Sequence, residues 1–189
     1  MENKLFKFFA SKLDFQKQIK LVFPEKDNRI TEAENILTDI GIEIVDIDSF
    51  SVTKEHIELV EKLKFSKDWP IENLIEYLNY PLMKSLTILK NNEIDGVVCG
   101  CTMPSSEVIR NSIRIIGLKK SSKWLSSMFL MIRQDAKKIY SFADCAVIPD
   151  PSVEQLCDIA SQASTLHELL AEEEAKVAFL SFSSYGSAE

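Results

Sequence analysis

Glycine and proline are scarce in this chain, at five and six of 189 residues. That scarcity excludes collagen-like and low-complexity architectures. No run approaches the ~18 uninterrupted apolar residues that a bilayer span requires. Histidine occurs only as His56 and His167, and neither stands at ligand spacing from a cysteine, so no zinc site is expected. The four cysteines, Cys99, Cys101, Cys145 and Cys157, include no CxxC pair and are too few for a disulfide framework. They read as reduced thiols, in keeping with a cytoplasmic protein. There is no P-loop, no GxGxxG, no HExxH and no GxSxG elbow to support a serine–histidine triad.

What is present is apolar content: 46% of residues are hydrophobic, enough to build the core of one large domain or slightly more. Residues 1–17 carry Leu5, Phe8, Phe9 and Leu13 at helical spacing and lack a cleavable hydrophobic region, which predicts an amphipathic helix rather than a signal peptide. The net charge of −7 argues against a nucleic-acid coat. Yet residues 110–138 hold eight basic side chains against Asp135 alone. Such a window is either the footprint of an anionic ligand or acidic partner, or a solvated face.

Along the chain, apolar runs alternate with helical patterns. Strands are expected at 18–23, 42–47, 95–101, 125–132, 139–147 and 176–182. Helices are expected at 29–38, capped by Asp27 or Asn28 and stopped by Gly41, with Ala33, Ile36 and Leu37 inward. Further helices are expected at 53–63, 71–78, 81–90 and 105–116. Ser152 and Gln155 have capping-box spacing for one running to about residue 163, and another covers 165–174. This order predicts an α/β fold with a mainly parallel sheet and flanking helices.

The chemistry concentrates after the strand at 95–101. In a parallel sheet, ligands gather at the carboxyl ends of strands, where helix amino termini present unpaired N–H groups. Thr102, Ser105 and Ser106 stand there, and Arg110 lies one turn into the following helix, where it can clamp a phosphate. Ile109, Ile113 and Ile116 are expected to face inward, with Glu107, Arg110 and Arg114 opposite. A surface Glu107–Arg110 pair is the plainer alternative.

Several segments, in this order, carry a resemblance. They are KLVFPE at 20–25 with Arg29, IDGVVCG at 94–100 with Arg110, LSSMFLM at 125–131 and FADCAV at 142–147. PDP at 149–151 follows, with EQL and DIA behind it, and VAFLSFS at 177–183 closes the set. The chain is similar to the phosphate acetyltransferase and phosphate butyryltransferase family. The resemblance implies the two-domain phosphotransacetylase fold, related to isocitrate and isopropylmalate dehydrogenases, with a first domain over 1–145 and a second begun at 146–189, both incomplete.

It also implies reversible acyl transfer between an acyl phosphate and coenzyme A, with inorganic phosphate as the other product and coenzyme A as a substrate rather than a bound cofactor. A homodimer acting in the cytoplasm on these small molecules, with no metal, membrane or nucleic acid, goes with it. Arg110, with Thr102, Ser105 and Ser106, would bind phosphate. Ser126, Ser127, Ser181 and Ser183 would line the cleft. The family's later Ser-Arg pair and catalytic Asp have no counterpart here, so no catalytic residue is assigned. Met103, Asn111 and Ile148 depart from the family pattern. The alternative is a catalytically inactive relative or fragment acting as a binding or assembly partner.

Overall fold

Leu21 sits at the middle of the first unit, on a strand with a neighbour on either side. A computed structural model describes residue 11 and residues 18–133 and 138–180. The helix expected over 1–17 lies outside the described residues, as do Ser181 and Ser183. The chain divides into two units between Gly117 and Leu118, whereas the sequence reading placed a domain boundary at 145/146.

The first unit runs β1 (Lys20–Val22), α1 (Asn28–Asp39), β2 (Glu43–Ile44), α2 (Lys54–Glu61), α3 (Ile71–Asn79), α4 (Pro81–Lys90), β3 (Gly96–Val97) and α5 (Ser105–Ile115). Its sheet has the order β2-β1-β3, all parallel, with Lys20 opposite Glu43 and Leu21 opposite Gly96. The α/β reading with a parallel sheet and flanking helices therefore holds, with strands shorter than the apolar runs that contain them. β3 passes close to β1 at Gly96: a Cβ there would come within 2.9 Å of Leu21 Cδ2, the far end of a flexible side chain, which would have to turn aside to admit it.

Val22, Ile47, Ile88 and Ile94 close one core cluster beside the sheet. Val60, Leu74 and Leu78 form a second between α2 and α3, and Leu82, Leu86 and Ile115 a third between α4 and α5. Helix starts follow local chemistry. The Asp27 carboxylate accepts from the Arg29 N–H at the head of α1, and Gly41 ends that helix region with φ +90°, a conformation glycine adopts without Cβ strain. Pro81 occupies the first turn of α4, where its missing N–H costs nothing.

Two helix faces differ from expectation. In α1 it is Ile30 that is buried, while Ile36 is exposed. In α5 the buried residues are Asn111 and Ile115, and Ile113 is exposed. The cause is Asn111: its amide donates to the Glu107 carbonyl at 3.0 Å and its side-chain oxygen accepts from the Tyr77 hydroxyl at 3.1 Å, so a polar side chain is satisfied inside.

The second unit holds β4 (Met128–Ile132), β5 (Ile139–Ala143) and α6 (Val153–Ala171). β4 and β5 pair antiparallel, Phe129 opposite Phe142 and Met131 opposite Tyr140. All four of those side chains are exposed on one face of the hairpin. On the other, Ser141 Oγ lies 2.9 Å from Nδ1 of His167, which α6 carries. The two helices expected at the end are one, because residues 163–165 contain no glycine or proline to break it. Residues 176–180 are not a strand. Among the described residues no helix is long and apolar enough to cross a membrane.

Candidate functional site

β1 and β3 are adjacent and parallel, so their carboxyl ends emerge side by side. Beyond β1 the chain reads Pro24-Glu25; beyond β3 it reads Cys99-Gly100-Cys101-Thr102-Met103. Glu25, only 5% exposed, places its carboxylate among the amides of that second segment. The Gly100 and Cys101 N–H groups donate to Oε2, the latter at 3.0 Å. The Thr102 N–H, the Thr102 hydroxyl at 2.7 Å and the Met103 N–H at 2.7 Å donate to Oε1. Gly100 has φ +98°, the left-handed turn that brings these successive N–H groups round one point.

Burial by itself would raise the Glu25 pKa. The hydrogen bonds from Thr102, Met103 and Cys101 outweigh it and hold the carboxyl at about 2. Glu25 is thus an ionised, acceptor-only group with both oxygens occupied. Cys99, beside it, is pushed up by burial first and by the Glu25 charge second, so its thiol stays protonated and is a poor nucleophile. Arg29 is held by Asp27, Nε to Oδ1 at 2.7 Å and Nη2 to Oδ2 at 3.1 Å.

Immediately after the loop, α5 begins without a side-chain cap, since Pro104 stands at the cap position. The Pro104 carbonyl accepts from the Glu107 and Val108 N–H groups at 3.0 and 3.2 Å. The amides of Ser105 and Ser106 have no partner among the described residues, and both residues are exposed. Arg110, one turn further on, is exposed as well, and among the described residues no ion pair holds it: the surface pair with Glu107 does not form. Arg114 instead lies over the Phe65 ring, 5.5 Å from its centroid. Arg110, Ser105 and Ser106 therefore make one open, donor-rich start to a helix, suited to an oxyanion. Thr102 is next to them in the chain, but both its donors are committed to Glu25.

Ser126 and Ser127 belong to the second unit. Ser127 is bound into a tight turn: its N–H donates to Asp144 Oδ1 at 2.9 Å and its hydroxyl donates to the same oxygen. Its Oγ accepts from the Cys145 and Ala146 N–H groups at 2.9 and 2.8 Å. Asp144 accepts in addition from Ala146, Val147 and Ile148, the last at 2.7 Å. Burial pushes Asp144 up, and these bonds, led by the Ser127 hydroxyl, bring it down to about 2. Ser126 is half-buried.

Glu25 and Asp144 were quoted within motifs but given no role from sequence. The available signal was a lone carboxylate shortly after an apolar run in each case. Two surface cavities, of about 450 Å³ beside Glu58, Lys62 and Lys90 and about 250 Å³ beside Trp69, Tyr77 and Tyr80, contain none of the expected site residues. Among the described residues no cluster of three or more His, Cys, Asp or Glu side chains is placed to hold a metal ion.

The family described as Phosphate acetyl/butaryl transferase matches residues 14–189. The phosphate acetyltransferase of Acetivibrio thermocellus is 31% identical over 166 residues, covering 84% of this chain and 50% of that protein. That of Clostridium acetobutylicum is 32% identical over 186 residues, 95% of this chain and 56% of that protein. In fold, the chain is similar to a phosphotransacetylase from Streptococcus pyogenes, with a TM-score of 0.80 at 24% identity, covering 100% of this chain and 65% of that one. The chain spans about half the length of the two curated relatives it matches here.

Proposed function

The chain belongs to the phosphate acetyl/butyryl transferase family, and on that premise we propose that it serves reversible acyl transfer between an acyl phosphate and coenzyme A. In this reaction the thiol sulfur of coenzyme A attacks the acyl carbonyl carbon. A C–S bond forms, the bond from carbon to the phosphate oxygen breaks, and the thiol proton ends on inorganic phosphate. The demand on the protein is to hold the phosphoryl group in place and to stabilise the negative charge it carries away.

The observation that carries the reading is the start of α5. Arg110 is an exposed guanidinium without a partner among the described residues, and the amides of Ser105 and Ser106 next to it are equally unclaimed there. Arginine offers two parallel N–H donors to a phosphate, and the first turn of a helix adds amides and the positive end of its dipole. The two serine hydroxyls complete the subsite. The reading extends to a homodimer in the cytoplasm with coenzyme A as a substrate.

The test has two arms. Phosphate binding is followed by calorimetry or ³¹P NMR, and thioester formation from acetyl phosphate and coenzyme A by absorbance. Arg110→Ala should weaken phosphate binding about ten- to a hundredfold, because a hydrogen bond to a charged group contributes roughly 1.5–3 kcal/mol. Unchanged affinity removes Arg110 from the subsite. Phosphate binding with no thioester formed leaves an anion-binding role in place of acyl transfer.

A further inference from the structure

We propose that Glu25 is the positioning residue of this phosphate subsite: by tying down residues 100–103 it fixes where α5 begins, and with it the place of Ser105, Ser106 and Arg110. The inference rests on the phosphate reading given above and adds to it a residue that touches no substrate.

The segment between β3 and α5 has few other polar ties. Val98 still belongs to the sheet, its N–H donating to the Val22 carbonyl at 3.0 Å. From there to Pro104, every hydrogen bond that the loop amides make among the described residues ends on Glu25, and so does the Thr102 hydroxyl. The loop's apolar anchors are Cys99 and Met103, which pack against the Leu82, Leu86 and Ile115 cluster. Glu25 itself is fixed from the far side, since Pro24 and the buried Val22 lead into it from the central strand. The carboxylate therefore transmits the position of β1 to the head of α5 across a stretch that glycine at 100 would otherwise leave free to turn.

The geometry also directs the ligand. Successive amides converging on one point form an anion-binding nest. Here an internal carboxylate fills it, both oxygens occupied and 5% exposed, so a phosphate cannot enter there. The next unclaimed donors along the chain are the amides of Ser105 and Ser106, followed by Arg110. Glu25 thus denies the anion one site and presents the adjacent one. Being ionised and acceptor-only, it has no proton to offer a phosphate, which separates its role from that of the ligands.

The experiment uses the whole chain with Glu25→Gln, which keeps length and removes charge, and Arg110→Ala as a comparison. Both are held well below their unfolding temperatures. Amide hydrogen exchange at residues 100–103 reports the clamp, and inorganic phosphate titrated by ³¹P NMR reports the subsite. For Glu25→Gln, exchange at 100–103 should accelerate at least tenfold and the phosphate Kd should rise about tenfold. Arg110→Ala should raise the Kd while leaving that exchange unchanged.

Faster exchange with unchanged phosphate affinity makes Glu25 merely structural and overturns the proposal. Tighter phosphate binding, the anion taking the vacated nest, overturns it as well. Should Glu25→Gln fail to fold, Thr102→Val removes a single donor from the same carboxylate. It should raise the Kd about threefold, and no change there overturns the proposal. Absence of phosphate binding by the parent chain instead overturns the phosphate reading itself, a result distinct from every outcome above.

Discussion

Glu25 and Asp144 each fill a ring of backbone amides at the end of a strand, one in each unit, and they reach those amides by opposite routes. Glu25 binds residues 75 to 78 positions away in sequence, so its clamp exists only once β1 and β3 have paired. Asp144 binds amides two to four positions ahead of itself, and its one distant partner is Ser127, across the hairpin. The first arrangement joins elements that the sheet has already brought together. The second is a local turn of the kind aspartate forms on its own, fastened at one point. A non-local clamp concentrates its effect in the folded state, whereas a local one retains part of its bonding when the rest of the unit opens.

The largest expected effect comes from emptying the two rings. Glu25→Ala leaves four amides and a hydroxyl facing a buried gap, and unsatisfied buried donors cost roughly 1–3 kcal/mol each without adding fully. A loss of about 3–4 kcal/mol is expected, against about 2 kcal/mol for Asp144→Ala, which is less deeply placed and whose amides can turn to water. The chain has two tryptophans, Trp69 in the first unit and Trp124 in the second. Urea unfolding with each as the sole fluorophore assigns the loss to its own unit. Equal losses, or a Glu25→Ala effect on the Trp124 transition alone, would break the contrast.

Acid sharpens it further. A carboxyl whose folded pKa lies below its unfolded value contributes stability that is complete above the unfolded pKa and is lost as pH falls through the folded one. Glu25 goes from 4.5 to about 2 and Asp144 from 3.8 to about 2. The Trp69 transition should therefore begin to weaken at a higher pH than the Trp124 transition, and both contributions should be gone below pH 2. Asp27, held down to about 2 by its hydrogen bonds with Arg29, adds to the first unit's window. The decisive measurement is thus Glu25→Gln against the parent: the variant should show a shallower fall between pH 4.5 and 2. The same slope in both would remove Glu25 as its source.

The same contrast explains what could be read from the sequence. Signals within one turn were legible: Asp27 before α1, Gly41 behind it, Pro81 opening α4, and Ser152 with Gln155 opening α6. The helix start at Ser105 was legible for the same reason, since a helix start after a strand is a local pattern. Thr53 with His56 is a capping box too, but histidine replaces the usual Glu or Gln, and the pattern was not recognised.

Glu25 was not legible as a clamp, because nothing in Pro24-Glu25 names partners beyond residue 99. Burial of Asn111 was equally hidden, since it depends on a Tyr77 hydroxyl from another helix. The antiparallel pairing of β4 with β5 was missed because two apolar runs joined by a charged stretch also fit parallel strands.

The smallest effect separates the helpers of the two carboxylates. Thr102 gives Glu25 one hydroxyl bond among five, and four amides remain to hold the carboxylate when it is lost. Thr102→Val should therefore cost about 1 kcal/mol in the Trp69 transition. Ser127 does more per atom. Its hydroxyl donates to Asp144 while its oxygen accepts from the Cys145 and Ala146 amides, so removing it breaks three bonds and cuts Asp144 back to purely backbone partners. Ser127→Ala should cost about 2 kcal/mol, close to the loss from Asp144→Ala itself, and the double variant should lose little more than either alone. Glu25→Ala combined with Thr102→Val should likewise match Glu25→Ala. Only the second unit, however, should show its helper and its carboxylate as near equals, because only there does one serine fasten a turn that is otherwise local.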